Sequence, residues 1–304
     1  MMEKDTVPVI NPKEAYHETK RHTQAMFPYN VYPCTIPQDL PAVLLHWQDS
    51  MEIIYIKKGS GTAQVDLTAF DAEAGTIVFV PPGRLHSLRN HPGVRMEYEN
   101  IIFDLSFLGI TVLDVCSQKY LQPLQKNQVM FPTYVTPESS GYREIAGCLD
   151  EADDFCRRKS AGYELGVKAC ILKLFSLLFE LGEARQLSSP NTKDTDKLKT
   201  LLNYVEANYH HPLSIQEAAG VCGYSSSHFM RWFKQTAGIS FTQHLNGYRL
   251  EKALEQIRDT DKTILEIAEG CGFDNLSNFN RLFKKHYGIT PREARKNSPG
   301  LHSP

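Results

Sequence analysis

Two short runs of this chain carry side chains suited to reading a base-pair edge. In the first, SSSHFMRWFK (residues 225–234), Ser226, Ser227, Met230, Arg231 and Lys234 lie off an aromatic stripe of Phe229, Trp232 and Phe233. In the second, NLSNFNRLFK (275–284), Asn275, Ser277, Asn278, Asn280, Arg281 and Lys284 lie off a stripe of Phe279, Leu282 and Phe283. Spacing of i, i+3, i+4 buries each stripe on one face of a helix and turns the polar set outward. Short polar side chains and arginine hydrogen-bond to base edges in the major groove, whereas lysine mainly meets phosphate. A single face of this kind is equally that of an ordinary solvated helix, so the weight falls on its being written twice.

The elements that must hold these faces are also written twice. Residues 214–240 and 263–290 align with an offset of 49 up to Gly223 and Gly272, then 50 from Phe229 and Phe279 onward. Each copy opens with a capping box, Ser214-x-x-Glu217 and Thr263-x-x-Glu266, which satisfies the first backbone N–H groups of a helix. Each short first helix ends near Gly223 or Gly272, where glycine permits the positive φ of a helix stop. The unit is helix, tight turn, helix. A solenoid of TPR or HEAT type needs at least three copies, and only two are present. Between them, residues 240–258 open with another capping box, Ser240-x-x-Gln243, and form a predicted helix of roughly 28 Å at 1.5 Å per residue. Successive major-groove faces of B-DNA lie about 34 Å apart, so this spacer suits two readers entering adjacent grooves of double-stranded DNA.

Charge agrees in sign. Residues 192–304 hold 15 Lys+Arg and 12 Asp+Glu, leaving 18 and 23 of the totals of 33 and 35 for residues 1–191. The net charges are +3 and −5, a modest bias toward a polyanion in the C-terminal part. With 304 residues, the chain can bury more than one core. No run of about 18 apolar residues is present and the N-terminus lacks a secretory signal, so no membrane partner and a cytoplasmic location are expected. Seven cysteines without a CxxC pair give neither a disulfide framework nor a zinc ribbon.

Along the rest of the chain, prolines at 8, 12, 28, 33, 37 and 41 mark the first ~40 residues as an arm rather than core. Short β-rich runs follow (AVLLHW, MEIIYIKKG, GTAQVDL, GTIVFVPPG, RMEYENIIFDL) and predict an antiparallel barrel or sandwich. Helical patterns begin at Ser139, over about 139–158 and 161–183, and ARQLSSPNTKD (184–194) reads as a polar link.

On the second copy above all, IAEGCGFDNLSNFNRLFKKHYGITPREARK, residues 195–297 resemble the DNA-binding domain of AraC/XylS-family transcription regulators. Glycine-aromatic, Phe-x-Arg-x-Phe-Lys, glycine and Thr-Pro all fall at that family's spacing. The resemblance implies base contacts from Ser227, Met230 and Arg231 and from Ser277, Asn280 and Arg281. Gly247 inside the connecting helix departs from the pattern and costs about 1 kcal/mol relative to alanine.

The stretch HWQDSMEIIYIKKGSGTAQVDL … AGTIVFVPPGRLH resembles the cupin-like sensor domain that many members carry. His46, Gln48 and Glu52 share strand parity and point into the barrel if the strand is regular; the resemblance adds His86. Metal-binding cupins use histidines and a carboxylate at such positions. Here Gln48 stands where a second histidine would be, and an amide oxygen replaces imidazole poorly. The expectation is therefore no metal, no cofactor and no catalytic residue, with His46, Gln48, Glu52 and His86 hydrogen-bonding a hydroxyl-rich effector such as a sugar. Trp47 and Tyr55, of opposite parity, are expected to pack under helices. The apolar face of Leu165, Ile171, Leu172, Phe175, Leu178 and Phe179 is expected to serve both core and homodimer.

The fold expected is thus α+β and multidomain. It comprises an arm and cupin-like effector-binding barrel (1–138), a helical dimerisation segment (139–183), a linker (184–194) and an all-α domain with two helix-turn-helix motifs joined by a linker helix (195–297). The expected function is a sequence-specific, sugar-responsive transcription regulator, activator or repressor, with activator the reading carried and RNA polymerase as a further partner. The rivals are a cupin isomerase or dioxygenase, which a complete metal set would favour, and a protein-binding helical module.

Overall fold

The computed structural model describes residues 17–18, 26–111, 114–181, 185–186 and 192–297. The described residues divide at Asp196/Lys197 into two units. Most of the arm predicted before residue 26 and most of the 184–194 link lie outside the described residues.

In chain order the first unit contains β1 (His17–Glu18), β2 (Tyr29–Ile36), β3 (Val43–Gln48), β4 (Met51–Lys58), β5 (Ser60–Val65) and β6 (Thr68–Glu73). After these come β7 (Ile77–Val80), β8 (His86–Asn90), β9 (Met96–Phe103), α1 (Gln122–Gln125), β10 (Val129–Met130), β11 (Tyr134–Val135), α2 (Tyr142–Arg158), α3 (Tyr163–Leu181) and β12 (Arg185–Gln186). Two five-stranded sheets, ordered β1-β3-β8-β5-β6 and β11-β7-β4-β9-β2, share one interior. Ile36, Ile54, Ile56, Val78, Val80, Met96 and Tyr98 of one sheet meet Ala63, Val65, Ala72 and Leu88 of the other. By the twofold alternation of strands, the opposite face of the second sheet presents Met51, Ile53, Tyr55, Ile77, Phe79, Ile101 and Phe103. That face is covered by Ile145, Leu149, Val167, Ile171, Leu174, Phe175 and Leu178 of α2 and α3. Full burial stabilises each such side chain by about 1.5–3 kcal/mol, which makes the two helices part of the barrel's own fold.

Two expectations are corrected. The first ~40 residues are not all arm: Tyr29–Ile36 pairs along its whole length with β9, from Tyr29↔Phe103 to Ile36↔Met96. Proline obscured this strand, but β2 is an edge strand, where Pro33 breaks no ladder on its outer side. Tyr55 does pack under the helices, with its hydroxyl 3.4 Å from that of Tyr142. Trp47 does not. It sits in the other sheet, paired with His17 of β1.

The second unit is helical: α4 (Thr192–Asn208), α5 (Ile215–Cys222), α6 (Ser226–Ala237), α7 (Phe241–Asp259), α8 (Ile264–Gly270), α9 (Leu276–Tyr287) and α10 (Pro291–Asn297). All three predicted capping boxes form, at Ser214/Glu217, Ser240/Gln243 and Thr263/Glu266. A fourth, Thr290/Glu293, precedes α10. The connecting helix α7 runs unbroken through the buried Gly247.

Candidate nucleic-acid interface and barrel site

Phe229 and Phe233 in α6, and Phe279 and Phe283 in α9, are fully buried. Their rings anchor the helices: Phe233 lies 5.4 Å from Phe241 of α7, and Phe279 lies 5.1 Å from Phe273. With that stripe inside, Ser227, Met230, Arg231 and Lys234 are exposed in i, i+3, i+4, i+7 relation on α6. Ser277, Asn280, Arg281 and Lys284 repeat the pattern on α9 at the constant offset of 50. The extra residue of the second copy falls in the turn between Phe273 and the helix cap.

Local bonding refines the set. Ser226 is half-buried in the first turn of α6. Asn275 is the N-cap of α9, its Oδ1 accepting from the Asn278 amide at 3.0 Å, a role played by Ser225 in α6. Asn278 Oδ1 in turn accepts from Arg281 Nη2 at 2.8 Å and orients that guanidinium. Sequence reasoning passed over His228, Gln235, Leu276 and Lys285, which are also exposed on these helices. Leu276 and Met230 are 37% and 49% exposed amid polar neighbours. An apolar side chain on such a face suits a thymine methyl group.

The barrel site assembles from three strands. His46 and Gln48 come from β3, Glu52 from β4 across the Asp49-Ser50 turn, and His86 opens β8 with its Cα paired to that of His46. All four are buried, at 8%, 3%, 1% and 0% exposure. Parity survived the change of strand and of sheet. The loop before His86 is pinned by Gly83 N–H donating to the Gln48 carbonyl at 2.7 Å and by the Arg84–Asp66 ion pair.

Inside, Gln48 Nε2 donates to Glu52 Oε2 at 2.6 Å, and His86 Nε2 lies 2.8 Å from the same oxygen. The His46 and His86 rings are 4.1 Å apart. His46 Nδ1 donates to the Leu44 carbonyl at 2.9 Å and His86 Nδ1 to the Arg84 carbonyl at 3.1 Å. One ligand atom each from His46, Glu52 and His86 falls within a 4.8 Å cluster. Asn100, 3% exposed, shares the inward face of β9 with Met96 and Tyr98 and was missed in the sequence, where nothing marks a lone asparagine as barrel lining. Gln48 Oε1 and Asn100 Oδ1 are buried and have no hydrogen-bond partner among the described residues.

Comparison with known proteins matches each unit separately. Residues 34–186 fit the model of an AraC-like ligand binding domain, and residues 218–297 fit that of a helix-turn-helix domain. The HTH-type transcriptional regulator YdeC of Bacillus subtilis is 20% identical over 92% of this chain and 95% of its own length. The HTH-type transcriptional activator RhaS of Mannheimia succiniciproducens is 25% identical over 82% of this chain and 88% of its own. A Staphylococcus aureus HTH-type regulator is 32% identical over 114 residues, 38% of this chain and 15% of that longer protein. Among solved structures, ToxT of Vibrio cholerae with a bound unsaturated fatty acid is 14% identical, covering 94% of this chain and 100% of its own, with a TM-score of 0.44. No helix among the described residues is long and apolar enough to cross a membrane.

Proposed function

The chain belongs to the AraC family of DNA-binding transcription regulators, and from that premise we propose that its barrel answers a small hydroxyl-rich effector of the sugar or polyol class. The observation that carries this reading is the pair of buried acceptors Gln48 Oε1 and Asn100 Oδ1. A buried acceptor left unsatisfied costs about 1–3 kcal/mol, and a hydroxyl donor removes that cost. A long acyl chain would have nothing to donate to either oxygen. His46, Gln48, Glu52 and His86 line the effector site with Asn100.

In this reading Ser226, Ser227, Met230, Arg231 and Lys234 face one half-site of double-stranded DNA, and Ser277, Asn278, Asn280, Arg281 and Lys284 face the next, with Asn275 serving as the cap. The protein acts in the cytoplasm as an activator that engages RNA polymerase, catalyses no reaction, and pairs as a homodimer through α3. Leu165 and Leu172 support the last point: they are 74% and 40% exposed, whereas Ile171, Phe175 and Leu178 are committed to the core.

Thermal-shift screening of the full chain against aldoses, alditols and fatty carboxylates tests the effector class. A cognate polyol at a hundredfold excess over Kd stabilises the unit it binds by about 2.7 kcal/mol. It should also change affinity for the operator. A panel in which only long-chain carboxylates raise the melting temperature would sink the polyol reading.

A further inference from the structure

We propose that Asp153 of α2 and Glu99 of β9 share one proton across the seam between α2 and the second sheet, and that its loss near neutral pH loosens the C-terminal half of α2 from the barrel. Neither the effector reading nor the DNA-facing helices enter into it.

The outward face of the second sheet is apolar where α2 and α3 seal it, but it ends in two charged residues, Lys57 of β4 and Glu99 of β9. Lys57 Nζ lies 2.9 Å from Glu99 Oε2 and 3.2 Å from Asp150 Oδ1 of α2, and stands 3.6 Å over the Tyr55 ring. Asp153, one turn further along α2, hydrogen-bonds to Glu99. Three carboxyl groups thus meet one ammonium. Glu99 and Asp153 are both half-buried, where water screens like charges poorly.

Two ionised carboxylates only accept, so a hydrogen bond between them requires that one keep its proton. Lys57 neutralises Glu99 and Asp150, which assigns the proton to Asp153. Burial first, and then the charge and hydrogen bond of Glu99, raise Asp153 from 3.8 to about 7, with Lys57 pulling the other way and Asp150 adding to the rise. Around the pair stand Lys57, Tyr55 and Tyr29 from the sheet, Asp150 and Cys156 from α2 itself and Cys170 from α3. Lys57 is the one cation among them.

Tyr29 of β2 is a second sign that this seam is poised between two states. It is 5% exposed, and its hydroxyl has no hydrogen-bond partner among the described residues. Burial first, and then Cys156, Asp153, Cys170 and Glu99, push it well above its usual value, so it stays a donor. It offers a hydrogen bond to the charge that appears when the shared proton leaves.

The sign follows from the raised carboxyl. Between about 4 and 7 the folded chain holds a proton that the unfolded chain releases, so the pair's contribution to stability is full below 3.8 and is lost as pH rises through about 7. Beyond that, Glu99 and Asp153 are both charged and α2 is repelled from β9. Glu99 and Asn100 are consecutive in β9 and face opposite sides of the sheet, so a shift of α2 acts on a strand that lines the barrel interior.

The experiment uses the full chain. Infrared spectra from about pH 5 to 9 should show a protonated-carboxyl band that titrates with a midpoint of about 7. Asp153→Asn should remove it, and Glu99→Gln should move its midpoint down by about one pH unit or more. Glu52→Gln, in the barrel interior, is the control and should leave it in place. Hydrogen exchange corrected for the intrinsic rate should show residues 150–158 losing protection several-fold between about pH 6 and 8 in wild type. Asp153→Asn, whose amide still donates to Glu99, should show no such loss. Wild type without the band, a band that survives in folded Asp153→Asn or is unmoved in Glu99→Gln, or equal protection of α2 at the two pH values overturns the proposal.

Discussion

Arg249 of α7 donates from Nε to the carbonyl of Tyr209 at 2.8 Å, and from Nη2 to the carbonyl of His211 at 2.7 Å. A buried guanidinium on the connecting helix thereby satisfies the chain that leaves α4. Gly272, in the turn of the second helix-turn-helix, lies against the same contact: a Cβ there would stand 2.4 Å from Tyr209 O and 2.9 Å from Arg249 Nη2. Gly223, at the matching place of the first copy, has nothing within 4 Å.

Identical glycines should therefore differ in their tolerance of alanine. At Gly223, with φ of 68°, the cost is backbone strain alone, about 1–2 kcal/mol. At Gly272, φ of 80° is joined by a clash with backbone, so the loss should be roughly 2–5 kcal/mol. In a Trp47→Phe background, Trp232 is the remaining tryptophan and its fluorescence follows unfolding of the helical unit. Equal losses at the two positions would contradict the packing described.

Arg231→Ala and Arg281→Ala should each weaken specific operator binding by about 1–3 kcal/mol, and relax base preference at two half-sites one helical turn apart. Lys234→Ala and Lys284→Ala should weaken specific and random duplex alike and reduce the salt slope by about one. Fluorescence anisotropy at several salt concentrations separates these outcomes. A uniform loss for the arginine variants would reassign them to phosphate contact.

The helical unit should lose stability on mild acidification. Burial pushes His244 down from 6.5 to about 3 and His286 down to about 4, so the unfolded chain binds protons that the folded one refuses. Stability is full above about 6.5 and falls as pH drops toward these lowered values, at up to about 1.4 kcal/mol per pH unit for the fully buried His244. His244→Phe should flatten the dependence between pH 6.5 and 4 without abolishing it. Denaturant midpoints of the Trp232 signal across that range provide the check.

If α3 pairs two copies, Leu165→Glu and Leu172→Glu together should convert a dimer of twice 34.5 kDa into a monomer of 34.5 kDa by sedimentation. The barrel should keep its fold, because neither side chain belongs to the core. A wild-type protein already monomeric at micromolar concentration would remove α3 from that role.

What could be read from the chain alone is what the physics makes local. A capping box closes over three residues and an aromatic stripe over four, so Ser214/Glu217, Thr263/Glu266, Phe229/Phe233 and Phe279/Phe283 were legible, and with them the two helix-turn-helix units. Strand alternation carried His46, Gln48 and Glu52 to one interior for the same reason. Pairing over distance was not legible. That Tyr29–Ile36 is an edge strand depends on β9, whose partners lie 60 to 74 residues onward, and Pro33 argues against a strand until its edge position is known. Asn275 fell in the outward DNA-facing set by its type, and only the helix start, one residue away, shows that its Oδ1 also caps α9. Gln48 is the sharpest case. Its type marked a position where a ligand is missing, and only the approach of β4 showed its amide N–H committed to Glu52 while its oxygen stays unpaired, because a hydrogen bond's partner is chosen by the fold that brings it near.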